Sequence, residues 1–140
     1  MIDPELVIRK IVLITGDLDR LGALAATPLA DYLASPTDEL VAERLLERII
    51  GRMIDVNYHL LTESGQPPPR DYYDSFTELA KLEVLSPDFA ARIAACAGLR
   101  NRIAHEYDEI DPAKVHEALQ NAVKDIPEYL RRVQAFVTRA

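Results

Sequence analysis

Between Leu99 and Asp111 the chain reads LRNRIAHEYDEID, bringing Arg100, Asn101, Arg102, His105 and Tyr107 into one short run. Histidine changes charge near neutral pH, which is what proton transfer requires. On a helix each residue advances about 100°, so Asn101 and His105 are neighbours one turn apart. If that helix continues to about residue 106, Arg100 and Tyr107 nearly eclipse across two turns. A helix C-terminus carries partial negative charge and favours a cationic imidazole; Glu106 and Asp108 act in the same direction. A plainer interpretation stands beside this one. His105 can cap or salt-bridge the helix end, Arg100 and Arg102 can be solvated charge, and Tyr107 can be a core tyrosine closing the helix.

The elements that must position these residues are well punctuated. Asp3-Pro4, Ser35-Pro36, Ser86-Pro87 and Asp111-Pro112 each offer an N-cap oxygen followed by proline at the first helical position. There the missing N–H costs nothing and the fixed φ suits the helix. Apolar residues then step by three and four: Val7, Ile11, Ile14, Leu18 and Leu21; Leu45, Ile49, Met53, Val56 and Leu60; Val115, Leu119, Ala122, Ile126, Leu130 and Val133. These are the stripes of helices packed in a bundle. Gly65 suits a C-terminal cap and the prolines after it block continuation. A short helix is expected over about Tyr72 to Leu82, and a long one from Pro87 to about residue 106 with Phe89, Ile93, Cys96 and Ala97 on its apolar face. Pro127 should kink the last helix or split off its end. Strand signals are absent. The expected fold is all-α, an up-and-down bundle of four long helices plus one short one, in a single domain over residues 1–140.

Composition narrows the function classes. The 140 residues are 49% hydrophobic and 28% charged, as in a globular domain. No apolar run approaches the ~18 residues of a membrane span. The first residues lack the basic-then-apolar layout of a secretory signal, so the expected location is the cytoplasm, with no membrane partner. The single cysteine, Cys96, excludes an intrachain disulfide and paired-cysteine zinc sites; its small apolar neighbours give it a packing role. His59, His105, His116 and Cys96 show no metal-ligand spacing, and phosphate-cradling glycine loops are missing, so no metal, no cofactor and no ATPase chemistry is expected. A net charge of −7 argues against a broad nucleic-acid-coating face. It leaves room for a local basic cleft, because a few placed arginines suffice to contact phosphate.

The run LRNRIAHEYDEID resembles the signature of the HepT-like family in the HEPN superfamily: Arg, four residues, His, one residue, Tyr. Arg100, His105 and Tyr107 fall on those positions, and Asn101 is the polar residue typical after the arginine. The resemblance extends over ERLLERIIGRMIDVNYHLL, RDYYDSFTELAKLEVLSPDFAARIA and YDEIDPAKVHEAL, nearly the whole chain. It implies the toxin of a prokaryotic HepT/MntA type VII toxin–antitoxin pair. Such a toxin is a homodimer with a metal-independent ribonuclease site at the cleft between protomers, acting on tRNA or mRNA. His105 would then move protons, Arg100 would hold the scissile phosphate and Asn101 would orient a phosphate oxygen or the imidazole. Two copies each of Arg100 and Arg102 would make the cleft basic. The resemblance also implies an MntA-like minimal nucleotidyltransferase antitoxin that transfers AMP to Tyr107; Tyr72, Tyr73 and Tyr129 are the controls that should stay unmodified.

Two other functions fit the same residues. The bundle could be a non-catalytic, nucleotide-binding companion subunit of a minimal nucleotidyltransferase, with Arg100 gripping phosphate. It could also be a structural dimerisation module. Asp55, Asn57 and His59 step by two along their helix, so at most one or two of them can face a cleft; His116 is expected at the surface.

Overall fold

The computed structural model describes residues 1–139. The chain forms α1 (Pro4–Ala25), α2 (Leu29–Leu33), α3 (Pro36–Glu63), α4 (Tyr72–Thr77), α5 (Pro87–Ile93), α6 (Ala95–His105) and α7 (Pro112–Arg139). Single turns of 3₁₀ helix lie at Glu78–Ala80 and Tyr107–Glu109, and no strand occurs among the described residues. The all-α expectation holds.

The four expected N-caps close as side-chain chemistry requires. Asp3 accepts from the N–H groups of Glu5 and Leu6, Ser35 from Asp38, Ser86 from Phe89 and Asp111 from Ala113. At the far end of α3, Gly65 adopts φ +83°. Gln66 N–H then reaches the Leu61 carbonyl at 2.9 Å and Gly65 N–H that of Thr62 at 3.2 Å, a Schellman cap.

Pairings between helices fix their directions. Along α1, Asp3 meets His59, Lys10 meets Asp55 and Asp17 meets Arg48 and Arg52, so α1 and α3 run antiparallel. His116 and Gln120, early in α7, bond to the carbonyls of Thr27 and Ala25, so α7 is also antiparallel to α1. The core between them contains Val7, Ile14, Leu21, Leu46, Ile49, Met53, Leu119, Ile126 and Val133, all shut off from solvent. Burial of that many large aliphatic side chains supplies about 1.5–3 kcal/mol each before entropy is counted.

The structure departs from expectation in four places. The expected long fourth helix is two helices. At Ala94 the backbone stays helical, but Ala97 N–H bonds to the Ala94 carbonyl at 3.0 Å, an i→i+3 bond. Phe89, Ala90, Ile93 and Ala94 are buried in α5 and at the break, where α5 packs on α4 and α7; α6 turns to follow α3. Secondly, α2 was not expected; it seats Tyr32 fully inside the bundle. Thirdly, of the two outcomes expected at Pro127, the split does not occur: α7 continues as one helix to Arg139. Pro127 is exposed, so the missing bond falls on the solvent side, where water can satisfy the freed carbonyl. Fourthly, His116 is not a surface residue. It is half-buried, with Nε2 2.7 Å from the Thr27 carbonyl and its ring 5.1 Å from that of Tyr32. A carbonyl only accepts, so Nε2 carries the proton.

Candidate active site

Helix α6 ends at His105, and Glu106 leaves the helix at φ −120°, ψ 33°. Its buried anchors, Ala97 and Ile103, hold one side against the core. Asn101, Arg102 and His105 are exposed, as is Tyr107 in the following 3₁₀ turn. Asn101 and His105 share a face one turn apart, about 6 Å along the axis, as their spacing requires. Arg100 and Tyr107 do not eclipse, because Tyr107 lies outside the helix. Nor is Tyr107 a core residue: 68% of its surface is open.

The capping interpretation of the histidine fails. Among the described residues, the side chains of Asn101, Arg102, His105 and Tyr107 make no hydrogen bond, and no ion pair joins His105 to Glu106 or Asp108. The backbone carries the helix end instead, through Glu106 N–H to the Arg102 carbonyl at 2.8 Å. These polar groups are available for something other than structure.

Arg100 lies in a different setting. It lines a cleft of about 590 Å³ with Lys10, Arg44, Arg48, Arg52 and Tyr72. Its guanidinium carbon sits 5.4 Å from the centre of the Tyr72 ring, and its Nε is buried with no acceptor. The other cations of the cleft have carboxylate partners: Lys10 with Asp55, Arg44 with Glu47, and both Arg48 and Arg52 with Asp17. Among the described residues Arg100 has none. A buried donor without a protein acceptor weakens a fold unless water or a ligand satisfies it. Tyr58 and Tyr72 meet edge to face, their rings 6.4 Å apart. Burial, then the neighbouring Tyr72, raises the Tyr58 phenol above its ordinary range.

The remaining candidates separate. Arg102, two residues and about 200° round the helix from Arg100, lines the opposite groove of about 660 Å³ with Cys96, Ile103, Glu109 and Lys114. Within one protomer it therefore does not join Arg100 in a basic cleft. His105 lines neither groove. Asp55 faces the Arg100 cleft, whereas Asn57 is structural: fully buried, it donates to Ser75 Oγ at 3.2 Å and accepts from the Tyr129 hydroxyl at 2.5 Å. His59 Nε2 accepts the Asp3 N–H at 2.9 Å. Burial pushes the Cys96 thiol up to about 12, in keeping with its packing role.

Sequence reasoning missed Asp17, Arg48 and Arg52. The signal existed. Asp17 stands three residues after Ile14 and four before Leu21, on the apolar stripe, where an unpaired carboxylate is excluded. Arg48 and Arg52 are spaced to meet one such group from a facing helix.

The antiparallel helices and the exposed polar run at the end of α6 define an all-α helical-bundle domain. The profile described as Ribonuclease HepT-like matches residues 14–133, and the chain belongs to that family. A tRNA nuclease HepT from Aphanizomenon flos-aquae (strain 2012/KM1/D3) is 37% identical over 136 residues, covering 97% of this chain and 92% of the relative. An mRNA nuclease HepT from Shewanella oneidensis is 26% identical over 90 residues, 64% of this chain and 68% of the relative. Among solved structures, a toxin–antitoxin with AMP-PNP superposes with TM-score 0.85 at 21% identity, covering 94% of this chain and 98% of that one. A tri-AMPylated Shewanella oneidensis HEPN toxin in complex with MNT antitoxin superposes with TM-score 0.84 at 22% identity, over 93% and 97% of the two chains. At these identities the structures bear on the fold. No described helix is long and apolar enough to cross a membrane.

Proposed function

We propose that the chain is a ribonuclease toxin whose cutting site is completed in a homodimer and silenced by a nucleotidyltransferase antitoxin. The observation that carries this reading is the unengaged state of the run: among the described residues His105, Asn101 and Tyr107 are exposed without side-chain partners, and of the cleft cations Arg100 is the one without a carboxylate. The kinship with a tRNA nuclease and an mRNA nuclease supports RNA as the substrate class.

The chemistry requires no metal. A neutral imidazole takes the proton of a 2′-hydroxyl, and that oxygen attacks the adjacent phosphorus. The bond from phosphorus to the 5′-oxygen breaks, and an imidazolium returns a proton to the leaving oxygen. The products are a 2′,3′-cyclic phosphate and a 5′-hydroxyl, with no net water or proton consumed. Arg100 neutralises the charge that grows on the phosphoryl oxygens. Asn101, on the His105 face, orients the imidazole or a phosphate oxygen. One protomer supplies one such histidine and does not place it in the Arg100 cleft; a two-fold axis supplies two, acid and base. Silencing is AMP transfer from ATP to the Tyr107 hydroxyl, releasing pyrophosphate and placing bulk and negative charge beside His105.

Cellular RNA integrity and growth after induction test the nuclease. Wild type should arrest growth and cut RNA, while His105→Ala and Arg100→Ala should each lose at least ~10²-fold of the cutting rate. Undiminished cutting by both variants sinks the reading. The second reading, a nucleotide-binding companion subunit, is favoured by the cation-lined cleft alone; tight ATP binding without toxicity or cleavage would select it.

A further inference from the structure

We infer that the cleft along α3, bordered by Lys10 of α1, Tyr72 of α4 and Arg100 of α6, is a groove for the RNA backbone, with a second phosphate position at Arg48 and Arg52. This rests on the reading of the chain as a ribonuclease. Asp17 is 4% exposed, and a single one of its oxygens, Oδ2, takes both Arg48 Nε at 3.2 Å and Arg52 Nη1 at 2.9 Å. One arginine neutralises a buried carboxylate; the second exceeds that need and leaves the cluster at +1. Each guanidinium has five N–H donors. Asp17 occupies few of them and fixes the direction of the rest, so both arginines reach the cleft with their rotamers already paid for by the ion pair.

Charge accounting round the cleft gives the same answer. Lys10–Asp55 and Arg44–Glu47 cancel. What remains is one positive charge at Asp17–Arg48–Arg52 and one at Arg100, in a chain whose net charge is −7. From Arg44 to Tyr58, α3 contributes about 21 Å of wall, more than one phosphate group spans. Positive charge on α3 at Arg48 and Arg52 and on α6 at Arg100, in one cleft, suits phosphodiesters of a single strand. Tyr58 and Tyr72 supply an aromatic edge beside Arg100 on which an unpaired base can stack.

Binding of a fluorescent single-stranded RNA, methylated at every 2′-hydroxyl so that it cannot be cut, tests the groove between about 50 and about 200 mM salt. Arg48→Gln and Arg52→Gln should each weaken binding about tenfold and reduce the slope of log affinity against log salt by about 0.7, one phosphate contact on a single strand. Each variant leaves Asp17 with one arginine, and a melting curve verifies the fold. Arg131→Gln, on an exposed part of α7, should bind like wild type. Wild-type affinity and slope in both Arg48→Gln and Arg52→Gln, alongside normal RNA cutting by the wild-type protein, overturn the groove and leave the ribonuclease reading intact. If the wild type neither binds nor cuts RNA, the ribonuclease reading falls and the groove with it. ATP binding that depends on Arg52, with RNA affinity unmoved by its loss, also overturns it in favour of a free nucleotide.

Discussion

Arg100 and Arg102 are two residues apart and serve opposite grooves, because two helical steps turn the side chain through about 200°. The same geometry puts Asn101 beside His105. Tyr107 falls just past the helix, where its hydroxyl is open to a modifying enzyme. If the proposed nucleotidyltransferase antitoxin modifies this chain, incubation with it and ATP should add AMP to wild type by intact mass and add none to Tyr107→Phe. Mass gained by Tyr107→Phe would move the acceptor to Tyr72 or Tyr73, the other exposed tyrosines. Tyr129 is no acceptor: its hydroxyl is buried against Asn57 and the Met53 carbonyl, and burial holds its phenol well above the ordinary range.

Helix ends show where the elements carry strain that function does not need. Glu83 has φ +59°, yet its neighbourhood repeats the cap at Gly65: Val84 N–H to the Leu79 carbonyl and Glu83 N–H to that of Ala80, both 3.1 Å. A side chain there meets the left-handed penalty of about 1–2 kcal/mol. Glu83→Gly should raise stability by about 1 kcal/mol in urea unfolding, since glycine removes the penalty at some entropic cost. Pro127 is the other misfit, exposed inside α7. Pro127→Ala restores a backbone donor and should stabilise by about 1–3 kcal/mol, measured the same way. A loss of stability would mean that the proline sets a bend on which the packing of Ile126 and Leu130 depends.

At the scale of the whole molecule, α2 closes one end of the bundle and buries Tyr32. Burial, then Glu43, Glu39 and Asp38, pushes its phenol up to about 12 from the usual 10. The native state thus holds this proton more tightly than the unfolded chain. The contribution to stability is complete below about pH 10 and is lost as pH rises towards 12. Chemical denaturation at increasing pH should show that decline, and Tyr32→Phe should flatten it. An equal decline in Tyr32→Phe would assign the alkaline loss to other groups, Tyr129 first.

Cap signals and apolar periodicity made most of the bundle legible, because an N-cap oxygen, a following proline and an i/i+3/i+4 stripe act locally. Those signals located α1, α3 and α7 and the short helix at Tyr72, and the motif spacing located Arg100, His105 and Tyr107 near one helix end. The break at Ala94 was not legible: alanine, cysteine and glycine in AACAG carry no stop signal, and packing of α5 and α6 against different neighbours decided it. Nor could sequence show which polar groups would be spent on structure. Asn57 and His116 were absorbed by the bundle, while Asp17 crossed from α1 to bind Arg48 and Arg52 on α3. Residue types and spacing set what each helix could offer. Which side chains share a cleft, and which are left free to act, depends on partners distant in sequence, and only the tertiary structure brought those together.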